Sequence, residues 1–386
     1  MPSASALRLL ASGYTADVSV FPMTTFVDAT TSEHARGIGT VIDRLTGEMS
    51  GDDRVLITRG PSARPNGVAV HRVRIARTRP GRLLYQRLLL PLDVARLKRG
   101  GAPIERIVLL DAYIPLPFVR RASRAEYAVL VHDVLPLTHP HFWPPAKRLI
   151  KRVAFFSLRR ARPLVFTSTE HNAKEIERLL EVEARVVPFG CGQLSDLEAD
   201  AARRDPLADR DQYFVAVGAF DPRKNLLSLI ESFEQLARLE SSFSLHLVGG
   251  SPLVGGRSRP YETRLRERIG RSTTADRIFL QRDLDRAKTI RLIRHATALV
   301  LPSLAEGFGL PIIEALALGT PVVASDLPEI RSWAGDAIDY ASPYQPADWV
   351  DPLLASAKVT EEQRRAGQGF ASAYRWKACA NALLEW

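Results

Sequence analysis

Short, continuous apolar runs rich in β-branched residues recur along this chain, many of them followed by a stretch of helical periodicity. In the first half they are VSVFPMTTF (18–26), RVLITRG (54–60), VAVHRVRI (68–75), RIVLLDAY (106–113), YAVLVHDV (127–134) and LVFTST (164–169). A strand with one wet face alternates apolar and polar residues, whereas a run that is apolar throughout must be covered on both faces. Helical patterns at 35–49, 83–98 and 145–160 supply that cover, so the spacing predicts an α/β fold with a doubly wound, mostly parallel sheet.

The pattern lapses around 188–211, where Gly, Pro and Asp replace the apolar runs, and then restarts. YFVAVG (213–218), LHLVGG (245–250), RIFL (277–280), ALVLP (298–302) and PVVAS (321–325) read as a second sheet of the same kind. One helix between them, NLLSLIESFEQLARL (225–239), sets Leu226, Ile230, Phe233 and Ala237 on one face. The organisation expected is therefore an N-terminal Rossmann-like domain over 1–190, a linker over 191–211, and a second such domain over 212–370. Ligands of open α/β sheets bind beyond the carboxyl ends of the strands, which puts a cleft between the two domains. A length of 386 residues and 46% hydrophobic residues can fill two cores.

Some classes are excluded. No apolar run approaches the roughly 20 residues that span a bilayer. The N-terminus, with one arginine and no sustained apolar core, does not read as a secretory signal. Cys191 and Cys379 read as free thiols in a reducing cytoplasm rather than a disulfide scaffold. The net charge of +10 is uneven: residues 1–190 hold 29 Lys/Arg against 17 Asp/Glu, so the basic excess belongs to the first half. The two halves are expected to meet different partners.

The densest chemistry lies in EGFGLPIIEALALGTPVVASD (306–326). Strand 298–302 ends at Pro302, SLAEGFG turns, Pro311 suits a helix's first turn, and Gly319 suits its end. Gly307, Phe308 and Gly309 thus lead into a helix N-terminus, whose N–H groups and dipole attract an anion such as phosphate. Glu306 precedes that helix on the cleft side, and Glu314 lies about one turn inside it, able to accept from a pair of adjacent hydroxyls. A phosphate flanked by two carboxylates, with a diol in reach, describes a nucleotide-sugar pocket. A glutamate merely complementing the helix dipole is the plainer alternative.

This segment resembles the nucleotide-sugar signature of the retaining glycosyltransferases of family 4 (group 1), of GT-B fold. The resemblance implies that Glu314 binds the donor ribose and that Glu306 binds hydroxyls of the transferred sugar. It also implies that backbone N–H groups around Phe308, Gly309 and Leu310 hold phosphate and sugar. VGAFDPRKNLLSLI (217–230) is similar to the family as well, with Gly218 ending a strand and Arg223 and Lys224 preceding Asn225, a candidate N-cap. Two cations at a helix start can neutralise a diphosphate leaving group. VHDVLPLTHP (131–140) resembles the His-Asp segment of mannosyltransferase-like members, which implies that His132 touches donor sugar or transition state while Asp133 orients the loop. RGIGTVIDRL (36–45) resembles the family's glycine loop, implying that Gly37 and Gly39 approach diphosphate or acceptor. The last segment, 371–386, is similar to a helix that crosses back onto the first domain.

Asp283 and Asp285 fit an Asp-x-Asp metal pattern, but they open a helix where Asp serves as a cap. The histidines of HPHFW (139–143) lack partners at zinc spacing, so no metal or other cofactor is expected. Between Phe142 and Arg162 there are seven Lys/Arg, no acids and four aromatic residues, and RLLYQRLLLPLDVARLKRGG (82–101) is a second apolar-basic stretch. Such segments can lie on an anionic membrane, which suits a lipid-linked acceptor, or can simply be helices with exposed arginines. No nucleic-acid module accompanies them.

The expectation is a retaining transferase moving a sugar, mannose from GDP-mannose in particular, to a saccharide or polyprenyl-diphosphate-linked saccharide. It would act in bacterial surface polysaccharide synthesis, in the cytoplasm or on the cytoplasmic face of the inner membrane. A nucleotide-sugar epimerase of the same fold and a non-catalytic scaffold protein are the alternatives.

Overall fold

A computed structural model describes residues 25–29, 38–49, 54–58, 69–72, 84–101, 104–113, 115, 117–191, 212–250 and 258–386. Gly37 and most of the expected linker lie outside these residues.

The apolar runs form two sheets. The first holds β1 (Thr25–Asp28), β2 (Arg54–Thr58), β3 (Ala69–Arg72), β4 (Arg106–Leu109), β5 (Glu126–Leu130), β6 (Leu164–Thr167) and β7 (Ala184–Val186), in the order β3-β2-β1-β4-β5-β6-β7. The second holds β8 (Tyr213–Ala219), β9 (Ser244–Gly250), β10 (Ile278–Arg282), β11 (Ala298–Leu301), β12 (Val322–Ser325) and β13 (Asp339–Ala341), in the order β10-β9-β8-β11-β12-β13. Every pairing is parallel. Each sheet therefore reverses direction once, between β1 and β4 and between β8 and β11, and these switch points are where ligands bind in such sheets.

The doubly buried strands follow from the side-chain period of two. Ile107 and Leu109 of β4 pack into one core with Val129 and Val165, while Val108 packs into another with Ala128, Leu130 and Phe166. In the second sheet Phe214, Ala216, Val300 and Val323 face one core, and Tyr213, Val215, Leu299, Leu301, Val322 and Ala324 face the other. One core is shared by both sheets: it runs from Val27 and Val108 through Phe189 and Phe308 to Leu316 and Leu384.

Two strands of the first sheet end earlier than their apolar runs. LVFTST stops at Thr167 because Thr169 turns outward to cap the helix Glu170–Leu180, its hydroxyl accepting from Asn172 N at 3.1 Å. YAVLVHDV stops at Leu130, which leaves His132 and Asp133 on the loop beyond β5. Asn225 is not the side-chain cap expected of it. It sits at φ +53°, and its amide donates to the Pro343 carbonyl at 2.8 Å. A left-handed backbone turns that side chain away from the free N–H groups of the helix Leu226–Leu239. Asp285, by contrast, caps the helix Arg286–His295, accepting from Lys288 N at 2.7 Å.

The final helix, Trp376–Leu384, packs on the helix Ile38–Gly47 behind β1. Its entry is pinned by close approach: Cys191 N donates to the Tyr374 carbonyl at 3.1 Å. A Cβ on Gly190 would lie 2.2 Å from Trp376 N and 2.8 Å from its ring. Replacing Gly190 with Ala must therefore push this helix off the first sheet. A loss of about 1–3 kcal/mol is expected, read as a lower thermal midpoint. An unchanged midpoint would show that the contact holds nothing in place.

Candidate active site

Two loops at the second switch point build the site. After β8 the chain passes Gly218 and makes a tight 3-10 turn, Pro222–Lys224. Asp221 caps that turn by accepting from Arg223 N at 2.9 Å. After β11 it runs through Ser303 and Glu306 to Gly309, which adopts φ +87° and starts the helix Leu310–Ala317. The loops are stitched together by Leu304 N donating to the Arg223 carbonyl at 2.8 Å and by Arg223 Nη1 donating to the Ala305 carbonyl at 2.7 Å.

At their centre is the Glu306 carboxylate, only 6% exposed. Oε1 accepts from Lys224 Nζ and from Ser303 Oγ (2.6 Å), and Oε2 accepts from Arg223 Nη1 (3.2 Å). Its own N–H donates at 2.9 Å to Glu329, a buried carboxylate in the helix Pro328–Ala334. Burial alone would push the Glu306 carboxyl up, but Lys224, Arg223 and the Ser303 hydroxyl outweigh that and hold it down to about 2. For Arg223, burial works against the charge, and Glu306, Asp221 and Asp133 more than restore it, so its pKa is raised. The result is a buried carboxylate clamped by two cations, with net positive charge. Lys224 gives only one of its three N–H bonds to protein, and Arg223 only those of Nη1, among the described residues. The remaining donors can meet an anion. Gly218 makes room for this arrangement: a Cβ there would lie 3.1 Å from Lys224 Cε.

The first sheet presses on the same loop. A Cβ on Gly307 would lie 3.2 Å from Asp133 Oδ2 and 3.3 Å from the His132 carbonyl oxygen, so the two halves meet closely at this glycine. Asn172, on the helix Glu170–Leu180, donates at 2.7 Å to the Gly307 carbonyl. His132 is buried at the mouth, its Nε2 3.0 Å from the Leu110 carbonyl. A carbonyl only accepts, so Nε2 carries the proton and Nδ1 is left as an acceptor. Burial lowers the imidazole's pKa, with Asp111 and the Leu110 carbonyl opposing, so the ring is neutral at neutral pH. Asp133 accepts from Leu135 N at 3.1 Å and shapes the turn.

The helix Leu310–Ala317 has no side-chain cap, and Pro311 occupies its first turn. Glu314 pairs with Arg286 at 2.7 Å through Oε1. The Phe308 ring faces away from the anion-binding edge into an aromatic stack, 4.4 Å from Trp333 and 5.3 Å from Phe189. Gly39 is buried inside the helix Ile38–Gly47 rather than in a loop before it. Three contributors escaped the sequence reading: Ser303, Glu329 and Asn172. Their partners, other than that of Ser303, are distant in sequence.

With this geometry in place, comparison identifies the class. Residues 199–367 match the family profile of glycosyl transferases group 1. An O-antigen chain mannosyltransferase B of Escherichia coli is 28% identical over 274 residues, 68% of this chain and 70% of that protein. An O-antigen chain mannosyltransferase of Salmonella typhimurium, RfbU, is 32% identical over 38% of each chain. The sucrose-phosphate synthase structure from Thermosynechococcus elongatus superposes with a TM-score of 0.73 at 18% identity, over 94% of this chain and 98% of that one. The fold is GT-B, and over residues 199–367 the chain is similar to the group 1 glycosyl transferases.

The Glu306 clamp has a pH signature. Its folded pKa lies below the unfolded value, so its stabilisation is full above about pH 4.5 and is lost as pH falls toward about 2. Glu306→Gln leaves Lys224 and Arg223 uncompensated and should lose about 3 kcal/mol at pH 7. That deficit should narrow steadily below pH 4.5 in denaturant melts. A deficit constant down to pH 3 would show that the carboxylate is not held ionised.

Proposed function

We propose that this glycosyltransferase moves mannose from GDP-mannose, with retention of configuration, to a hydroxyl of a saccharide or a polyprenyl-diphosphate-linked saccharide. The setting proposed is O-antigen or related surface polysaccharide assembly on the cytoplasmic side of the membrane. The observation that carries the reading is the clamp of Lys224 and Arg223 around Glu306, set beside an uncapped helix start. This is a preorganised cationic seat for a departing diphosphate, in a largely water-excluded place. The mannosyltransferase names of the Escherichia coli and Salmonella relatives support the sugar and the setting.

In this reading the unused N–H groups of Lys224 and Arg223 and the backbone around Phe308, Gly309 and Leu310 hold the diphosphate. Glu314 accepts from the ribose hydroxyls. His132 Nδ1 accepts from a hydroxyl of the transferred sugar. Both Glu306 oxygens are already held by protein donors, so its main work is to position the two cations. The carboxylate also lends negative charge to a sugar ring turning cationic as the glycosidic bond breaks. Attack occurs from the leaving-group face, and a donor phosphate oxygen takes the acceptor's proton, so no protein base and no metal are required.

Thermal shift with GDP, UDP, dTDP and ADP tests the donor. GDP at about 100 times its dissociation constant should add about 2.7 kcal/mol, a rise of a few degrees. Glu314→Ala should abolish that rise. With GDP-mannose and a saccharide acceptor, Lys224→Ala should lower kcat by about 10²–10³-fold. NMR of the product should show the donor's anomeric configuration. A GDP-mannose epimer formed without acceptor, or a shift with UDP alone, would refute the proposed reaction or its donor.

A further inference from the structure

The helix Pro145–Ala161 is apolar on the wrong side as well as the right one. Ala154, Phe155 and Leu158 face the first sheet and are buried. Leu149, Val153 and Phe156 stand on the opposite face at i, i+4 and i+7, with Ile150 adjoining, and they are 49–64% exposed. Four large apolar side chains aligned on one exposed helix face are more than scattered surface hydrophobes, and they mark a contact surface.

The charge around the stripe says what fits it. Residues 142–162 contain seven Lys/Arg and no acid. On the helical wheel Arg148, Arg152 and Arg159 line one flank of the stripe, and Arg160 lies within it. Lys151 and Arg159 also bind protein carboxylates, Lys151 reaching Asp111 at 3.6 Å and Arg159 reaching Glu181 at 2.5 Å. Where the helix ends, Arg162 joins Arg120, Arg121, Arg124 and Arg185 around an open concavity whose one acid is Glu126. Apolar residues bordered by arginines match a surface that is anionic outside and hydrocarbon within. A second copy of the same helix would set arginine against arginine.

The position is also apt. The helix begins just past the loop His132–Trp143 at the cleft mouth, and Lys151 reaches the end of β4, beside which His132 sits. A bilayer against this face would lie next to the cleft.

We propose that the outward face of the helix Pro145–Ala161 docks the first domain onto an anionic lipid bilayer, with Leu149, Ile150, Val153 and Phe156 entering the interface and the flanking arginines meeting headgroups. Among the described residues no helix is long and apolar enough to cross a membrane. Docking by this face gives the proposed lipid-linked acceptor a location. Because binding to vesicles is read without turnover, its failure and the failure of the transferase reading are distinguishable.

The test is co-sedimentation of the full chain with vesicles of phosphatidylcholine alone and of phosphatidylcholine mixed with phosphatidylglycerol. Binding to the mixed vesicles is expected, weakening with salt. Each basic residue removed should cost about five-fold in partition. Arg148→Glu with Arg152→Glu should therefore lower partition by roughly 25-fold or more. Leu149→Ser with Phe156→Ser should also release the protein while leaving its melting point and its activity on a soluble acceptor unchanged. Equal binding to both vesicle types, or wild-type binding by both double variants, overturns the proposal. So does a dimer in sedimentation velocity that the serine variant converts to monomer, which would make the stripe a contact between copies.

Discussion

Everything at this site depends on one buried carboxylate being held charged. Glu306 sits where water scarcely reaches, which should neutralise it, and two cations and a hydroxyl prevent that. The benefit runs both ways: without Glu306, Lys224 and Arg223 would be like charges packed together at the ends of β8 and β11. With it they keep a fixed separation and a net positive charge. The segments 217–225 and 302–309, some eighty residues apart in sequence, are thereby fused into one rigid floor. Ser303 and Glu329 belong to the same device, one orienting the carboxylate and the other anchoring its backbone. A floor organised before substrate arrives needs little reorganisation when a leaving group acquires charge.

The second constraint is contact between the halves. Gly307 lies close against His132 and Asp133, and Asn172 holds its carbonyl. Beneath them a ladder of rings runs from His132 through Phe189, Phe308 and Trp333 to Tyr374 and Phe370, joining the loop of Glu306–Gly309 to the last two helices. Trp376, stacked on Phe189, ties the final helix to the same ladder. Movement of one sheet against the other must repack these rings, so the loop after β11 is mechanically coupled to the way the chain closes back on itself.

Much of this was legible beforehand. The strand runs, the two-sheet organisation and the helix start at Leu310 follow from local pattern, because buried parallel strands and helix caps have signatures a few residues long. The short edge strands β7 and β13 do not, since three residues leave no period to read. The repeated strand order of the two sheets has no counterpart as a sequence repeat. Topology is carried by where apolar faces lie, and many side chains satisfy that equally well. The Asn225 cap misled because its backbone is left-handed, a choice made by the distant Pro343 carbonyl. The setting of Glu306 was only half visible: its place ahead of the helix start came from the motif, while its partners Arg223 and Lys224 came from the other loop.

What the sequence determined by itself was local: which segments are strands or helices, that their strands are buried on both faces, and that two glutamates bracket a helix start suited to phosphate. What only the tertiary structure decided was partnership. That Glu306 is locked by Lys224, Arg223 and Ser303, that Gly307 lies close against His132 and Asp133, and that Leu149 and Phe156 face outward are all consequences of packing. The reason is range: backbone preference and hydrophobic period act over a few residues, whereas Coulomb attraction and excluded volume act between whatever groups the fold brings together.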